Sequence, residues 1–235
     1  MPLYPPRREA LGFIHMPKTG GSYVRNVLQA QLGWKYVAGG HDPVWYESPT
    51  NGPLPVCDKL FGVVRDPWTW YGSVWRYAHR DSGQREELKL WGGGDNSFEA
   101  VLYGWTHPQE VKKTPAHIGV VFDAVNRVEA HSQISSSPVG FWSWSMGYFY
   151  GNGKALWQDG FSWKIDILLD MRNLKLELED LIKVPVRVDV DQNKGDWIET
   201  SMGAKPYAEW FTPEMVTWVA EADKGLIAEF HFEAP

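Results

Sequence analysis

The sequence predicts an α/β protein: a single domain, residues 1–235, with a central parallel sheet flanked by helices. Three observations carry the expectation. Leu11 to Met16 is an apolar run that passes through a glycine-rich turn into a helical pattern. Leu60 to Val64 is a second such run, followed by a proline-led helical pattern, and Lys164 to Asp170 is a third, followed by an amphipathic stretch. Strand, turn and helix repeated in this order read as βαβ units, which close into parallel sheets.

Each element follows from local chemistry. After the first strand, Ser22 to Leu32 reads as a helix, and Lys35 to Ala38 as a short strand. The helix from Pro67 to His79 carries its proline early, where the fixed φ is tolerated. Between Arg80 and Asn96 the chain is polar and ends in Gly92, Gly93 and Gly94, so a mobile loop is expected. Ser97 to Tyr103 reads as a short helix. From His131 to Gly160, serines, glycines and aromatics predict irregular structure or a hairpin. Leu174 to Lys183 reads as a helix and Val184 to Val190 as a strand. The last helix, reaching about Glu229, starts with a Thr212 cap, Pro213 and the first-turn acid Glu214.

Composition narrows the function classes. A chain of 235 residues can bury a core without staples, and Cys57, the single cysteine, has no internal partner for a disulfide. A net charge of −6 argues against nucleic acid as a partner. No stretch has the roughly 18 apolar residues of a membrane span, and the first residues lack the apolar core of a signal peptide, so a cytoplasmic protein is expected. The 14 tryptophans admit two uses: stacking on sugar rings, or filling a core.

Two stretches carry chemistry. In "HMPKTGGS" a strand gives way to Lys18, Thr19, Gly20 and Gly21 before a helix. Glycines let backbone N–H groups approach an anion at the helix N-terminus, and Lys18 adds a full charge, which together describe a phosphate cradle. The order is not that of the Walker loop, because the lysine precedes the glycines. An ordinary strand-to-helix turn with an exposed lysine is the plain structural alternative. In "VVRDPWTWYGS" Arg65 ends a buried strand and Ser73 lies in the next helix; a guanidinium and a hydroxyl can hold a second phosphate. The plain alternative here is a strand exit with a local ion pair.

Together these stretches resemble the sulfotransferases that use 3′-phosphoadenosine 5′-phosphosulfate, and most closely the carbohydrate and heparan sulfate branch. "HMPKTGGS" is similar to that family's P-loop-like 5′-phosphosulfate loop, and "VVRDPWTWYGS" to its 3′-phosphate element. Weaker similarity runs through "DILLDMRNLKLELEDLI" and "KPYAEWFTPEMVTWVAEADKGLIAEF". Residues 81–163 match nothing in the family and are the region left for the acceptor.

The resemblance implies transfer of a sulfuryl group to a hydroxyl of a carbohydrate or other small acceptor, without metal. It implies that Lys18, Thr19, Gly20, Gly21, Ser22 and Tyr23 hold the 5′-phosphosulfate, with Lys18 also neutralising the leaving oxygen, and that Arg65 and Ser73 hold the 3′-phosphate. In the carbohydrate branch a histidine after the second strand serves as base, which implies His41 in "KYVAGGHDPVWYES"; an imidazole titrating near pH 6.5 suits that task. His15, Asp42, Glu47, His79 and His107 are weaker choices. "QNKGDW" is similar to the basic loop of the cytosolic small-molecule branch and implies Lys194 as a further ligand. Two other classes stay open: an ATP-dependent phosphotransferase, which would need magnesium carboxylates, and a non-catalytic nucleotide- or glycan-binding module.

Overall fold

The computed structural model describes residues 11–33, 57–80, 82–111, 134, 136–152, 154, 156–187 and 207–235. Strands β1 (Leu11–Phe13), β2 (Lys59–Val64) and β3 (Ile167–Asp170) form a parallel sheet in the order β1-β2-β3. Leu11 to Phe13 lie opposite Lys59 to Phe61, and Phe61 to Val64 opposite Ile167 to Asp170. Helix α1 (Gly21–Leu32) follows β1, and α2 (Pro67–Arg80) follows β2. Then come α3 (Ser82–Trp91), α4 (Phe98–Thr106) and α5 (Phe141–Tyr150). After β3 come α6 (Leu174–Ile182), α7 (Pro213–Ala222) and α8 (Lys224–Glu229).

The central strand divides two cores. Successive strand residues point to opposite faces. Phe61 and Val63 therefore meet Tyr23, Val24, Val27 and Leu28 of α1 and Leu174, Leu178 and Ile182 of α6 in a mainly aliphatic layer. Leu60 and Val64 face a layer of aromatic rings from α2, α4 and α5. Trp70, Trp105, Trp142 and Trp144 are all at or below 2% exposure. These tryptophans fill the core and are not available as sugar-stacking faces.

One polar network ties the aromatic layer together. The Tyr71 hydroxyl donates to Asp223 Oδ2 at 2.9 Å, the Ser143 N–H donates to Asp223 Oδ1 at 3.0 Å, and the Trp142 N–H donates to the Tyr71 oxygen at 3.0 Å. Asp223 thus caps the start of α5 from the α7–α8 junction, while burial pushes its carboxyl up to about 6.

The parallel sheet and most helices lie where the sequence places them, with five differences. The stretch expected to be a mobile loop from Arg80 to Asn96 contains α3, a run of helix formers that buries Leu88 and Trp91. The glycines end that helix: Gly93 and Gly94 have φ of 66° and 110°, which an L side chain resists. The stretch expected to be irregular contains α5, all ten residues of which are buried, so no polar face marks it as a helix. The final helix is divided at Asp223 into α7 and α8. Strand β1 is also shorter than expected, and Val184 to Arg187 is not strand. Lys35 to Ala38 and Val188 to Val190 lie outside the described residues.

No helix among the described residues is long and apolar enough to cross a membrane. Nor do three or more His, Cys, Asp or Glu side chains among them come together as metal ligands would.

Candidate functional site

Parallel strands deliver their C-terminal ends to one edge of a sheet, where ligands of open α/β folds bind. Here that edge carries the loop after β1, Arg65 after β2 and Asp170 at the end of β3. The loop is built from within. Ile14 N–H still donates to Phe61 O at 2.9 Å, and beyond it the chain leaves the sheet. The Thr19 hydroxyl, fully buried, donates to Met16 O at 2.8 Å, and the Trp70 indole N–H donates to Pro17 O at 2.9 Å.

Tyr150, from α5, fills the place in the ladder that β1 vacates. Its hydroxyl accepts from Val63 N–H at 3.2 Å and donates to Val63 O at 3.0 Å. Gly62 makes room, since a Cβ there would stand 2.6 Å from the Tyr150 ring. Burial pushes the Tyr150 hydroxyl well above its ordinary range, so it is a neutral structural group. Tyr150→Phe is expected to destabilise the protein by about 1–3 kcal/mol, since it strands buried backbone groups. Denaturant unfolding measures this, and unchanged stability would remove Tyr150 from the support of the loop.

The loop ends in a turn that few side chains tolerate. Lys18 has φ of 65°, and Gly20, the N-cap of α1, has φ of 86°. A non-glycine residue in the left-handed region is held there by its surroundings, and such positions gather at functional sites. The holding group is Arg65: its Nη1 donates to Lys18 O at 3.1 Å and its Nε to Thr69 Oγ1 at 2.8 Å. Thr69 also donates its hydroxyl to Asp66, whose other carboxylate oxygen accepts from Thr69 N–H at 2.8 Å. Asp66 and Pro67 are therefore a helix cap and a first-turn proline, while Arg65 reaches across to the loop.

The start of α1 differs from the starts of α4 and α7. Ser97 caps α4 and Thr212 caps α7 through their hydroxyls, and both helices carry an acid in the first turn. Helix α1 has neither a side-chain cap nor a first-turn acid. Its first-turn N–H groups therefore have no side-chain cap among the described residues. Gly21 lies against the His15 ring, where a Cβ would come within 1.8 Å, so His15 is a packing partner of the turn. Ser22 is exposed on the first turn. The Tyr23 ring is buried in the aliphatic layer and its N–H donates to Gly20 O at 2.9 Å.

Lys18 lies along α2. Its ammonium is 4.5 Å from the centroid of the Tyr77 ring. Its pKa falls to about 8, first through burial and then through the charges of Arg65, Arg80 and Arg76. At 100° per residue, Thr69, Ser73, Arg76, Tyr77 and Arg80 of α2 fall within an arc of about 100°. The side chains expected from sequence, Lys18, Arg65 and Ser73, are thus joined by Arg76, Tyr77 and Arg80. The missed residues had a signal in the sequence: they continue the i, i+4, i+7 spacing from Thr69 through Ser73, Arg76 and Arg80.

His41 and Lys194 lie outside the described residues, as do Asp42 and Glu47. His79 stacks on Trp75 at 4.6 Å, and burial and Arg85 lower its pKa. His107 stacks on Tyr103 at 4.3 Å, and both histidines serve aromatic packing.

A scan against protein-family models, a search of curated proteins and a search of solved structures each returned no match to this chain.

Proposed function

We propose that the protein is a sulfotransferase that moves a sulfuryl group from 3′-phosphoadenosine 5′-phosphosulfate to a hydroxyl of a carbohydrate or another small acceptor. The observation that carries this reading is the uncapped start of α1 beside Lys18 and an arginine-lined face of α2. An acidic chain that brings Arg65, Arg76 and Arg80 near Lys18 sets a local positive field suited to an anion.

The residues fit a donor with two separate phosphate positions. Backbone N–H groups of Gly21 and Ser22 at the start of α1 would take the 5′ end. Ser73 and Arg65 would take the 3′-phosphate, and Lys194 would add to it. When bound, the donor supplies the activated sulfuryl group. Lys18 holds its charge against the oxygen that leaves, and His41 accepts the acceptor's proton as the new sulfur–oxygen bond forms. Positioning and charge stabilisation supply most of the rate in transfers of this kind, with little covalent work for the protein.

Isothermal calorimetry tests the reading directly. 3′-Phosphoadenosine 5′-phosphate is expected to bind at least tenfold more tightly than AMP or ATP, because charge-assisted contacts to the 3′-phosphate are worth roughly 1.5–3 kcal/mol each. Equal affinities for the three nucleotides would overturn it.

A further inference from the structure

The arginine least accounted for by the fold is Arg76. Its Nε and Nη2 atoms are buried, and neither has a hydrogen-bond partner among the described residues. Burying guanidinium donors without acceptors is costly, and folded proteins rarely leave such groups unmatched unless a ligand or ion completes them. Arg65 cannot take over this task with its whole fork, since Nε and Nη1 are engaged by Thr69 Oγ1 and Lys18 O. Arg65 is the residue that sets the loop; Arg76 has donors to spare.

The position of Arg76 supports the same conclusion. It lies one turn beyond Ser73 on the same face of α2, and the residue as a whole is half-buried although its Nε and Nη2 are not exposed. Among the described residues, Arg65, Arg80 and Arg76 depress the Lys18 ammonium by their charge. Like charges held together repel, and an anion placed beside Arg76 eases that repulsion.

We infer that Arg76 is a direct ligand of a phosphate or sulfate monoester bound against the middle of α2, with Ser73 and Lys18 beside it. The inference deepens the donor-binding reading and rests on it for the identity of the anion, the 3′-phosphate. The planar fork suits a tetrahedral oxyanion through two parallel N–H···O contacts, which a lysine at this position could not reproduce.

The test uses Arg76→Gln and Arg76→Lys in the full chain, with calorimetry against 3′-phosphoadenosine 5′-phosphate and AMP and thermal melts with and without inorganic sulfate. Arg76→Gln is expected to weaken the 3′,5′-bisphosphate by roughly 10–100-fold, the value of one lost charge-assisted contact. AMP should change by less than about threefold on the same scale. Arg76→Lys should recover only part of the loss, and the ligand-free melting temperature of Arg76→Gln should not fall, because the buried donors it removes have no partner to lose. Unchanged bisphosphate affinity, an equal loss for both nucleotides, or a drop in ligand-free stability would overturn the assignment while leaving the sulfotransferase reading standing. If the wild-type chain binds neither nucleotide but is stabilised by sulfate in an Arg76-dependent way, Arg76 is an anion ligand and the sulfotransferase reading falls. If no anion binds or stabilises the wild-type chain, both fall.

Discussion

Lys18→Gly is expected to lower turnover by about 10²–10³-fold, the usual share of one preorganised charge at a developing oxyanion, while leaving the ligand-free protein no less stable. Two terms favour the variant's fold. The left-handed backbone at φ of 65° costs a lysine about 1–2 kcal/mol and a glycine almost nothing. A half-buried ammonium near Arg65, Arg76 and Arg80 is also removed, together with its contact to the Tyr77 ring at 4.5 Å. Against these stands the extra freedom of glycine in the unfolded chain, about 0.5–1 kcal/mol, so the balance is near zero or favourable. Thermal melts and single-turnover rates measure the two effects. Lys18→Arg keeps the charge and the backbone cost, and should keep part of the rate. A glycine variant with normal turnover, or one that melts several degrees lower, would show that Lys18 serves the fold.

The same lysine gives a pH signature. Its pKa near 8 lies below the ordinary 10.5, so the unfolded chain binds more protons than the folded one between those values. Stability contributed by this group therefore rises with pH across that window, and the rise should be missing from Lys18→Gly. Donor binding runs the other way, falling as pH climbs through about 8 and the ammonium discharges.

His41→Ala is expected to cut turnover by about 10²–10⁴-fold with donor affinity unchanged, the range of a positioned general base. Only neutral imidazole accepts a proton, so the wild-type rate should rise with pH through the histidine's titration and the variant should lack that limb. Pre-steady-state rates across pH, paired with calorimetry of the desulfonated donor, separate chemistry from binding. A variant that keeps both its rate and the acidic limb would move the base to another residue; one that also loses donor affinity would make His41 a support of the loop.

The elements legible in the sequence were those whose boundaries are made by local chemistry. Pro67 and Pro213 open helices, Gly33 closes α1 with φ of 65°, and the apolar runs of β2 and β3 have no polar alternative. Helix α5 was hidden because its signal is tertiary: buried on every side, Phe141 to Tyr150 shows no amphipathic period. Helix α3 was masked by its polarity and by the glycines that stop it. The site divides in the same way. Lys18, Gly20 and Arg65 were legible as a loop and a strand exit, whereas the clamp from Arg65 to Lys18 O depends on which strand lies beside which. Tyr150 could not be anticipated from any motif, since its role exists only where β1 leaves the sheet.

The alternation along β2 has a consequence outside the core it sorts. Phe61 and Val63 belong to the aliphatic layer, and Leu60 and Val64 to the aromatic one, with Gly62 under the Tyr150 ring. A slip of β2 by one residue would exchange the two sets, setting bulk beneath Tyr150 and a glycine among the leucines. It would also carry Arg65 about 3.3 Å along the strand and onto the opposite face, away from Lys18 O. The strand therefore works as a ruler with a built-in check: the mistake that would misplace the arginine is the same mistake that the two layers reject.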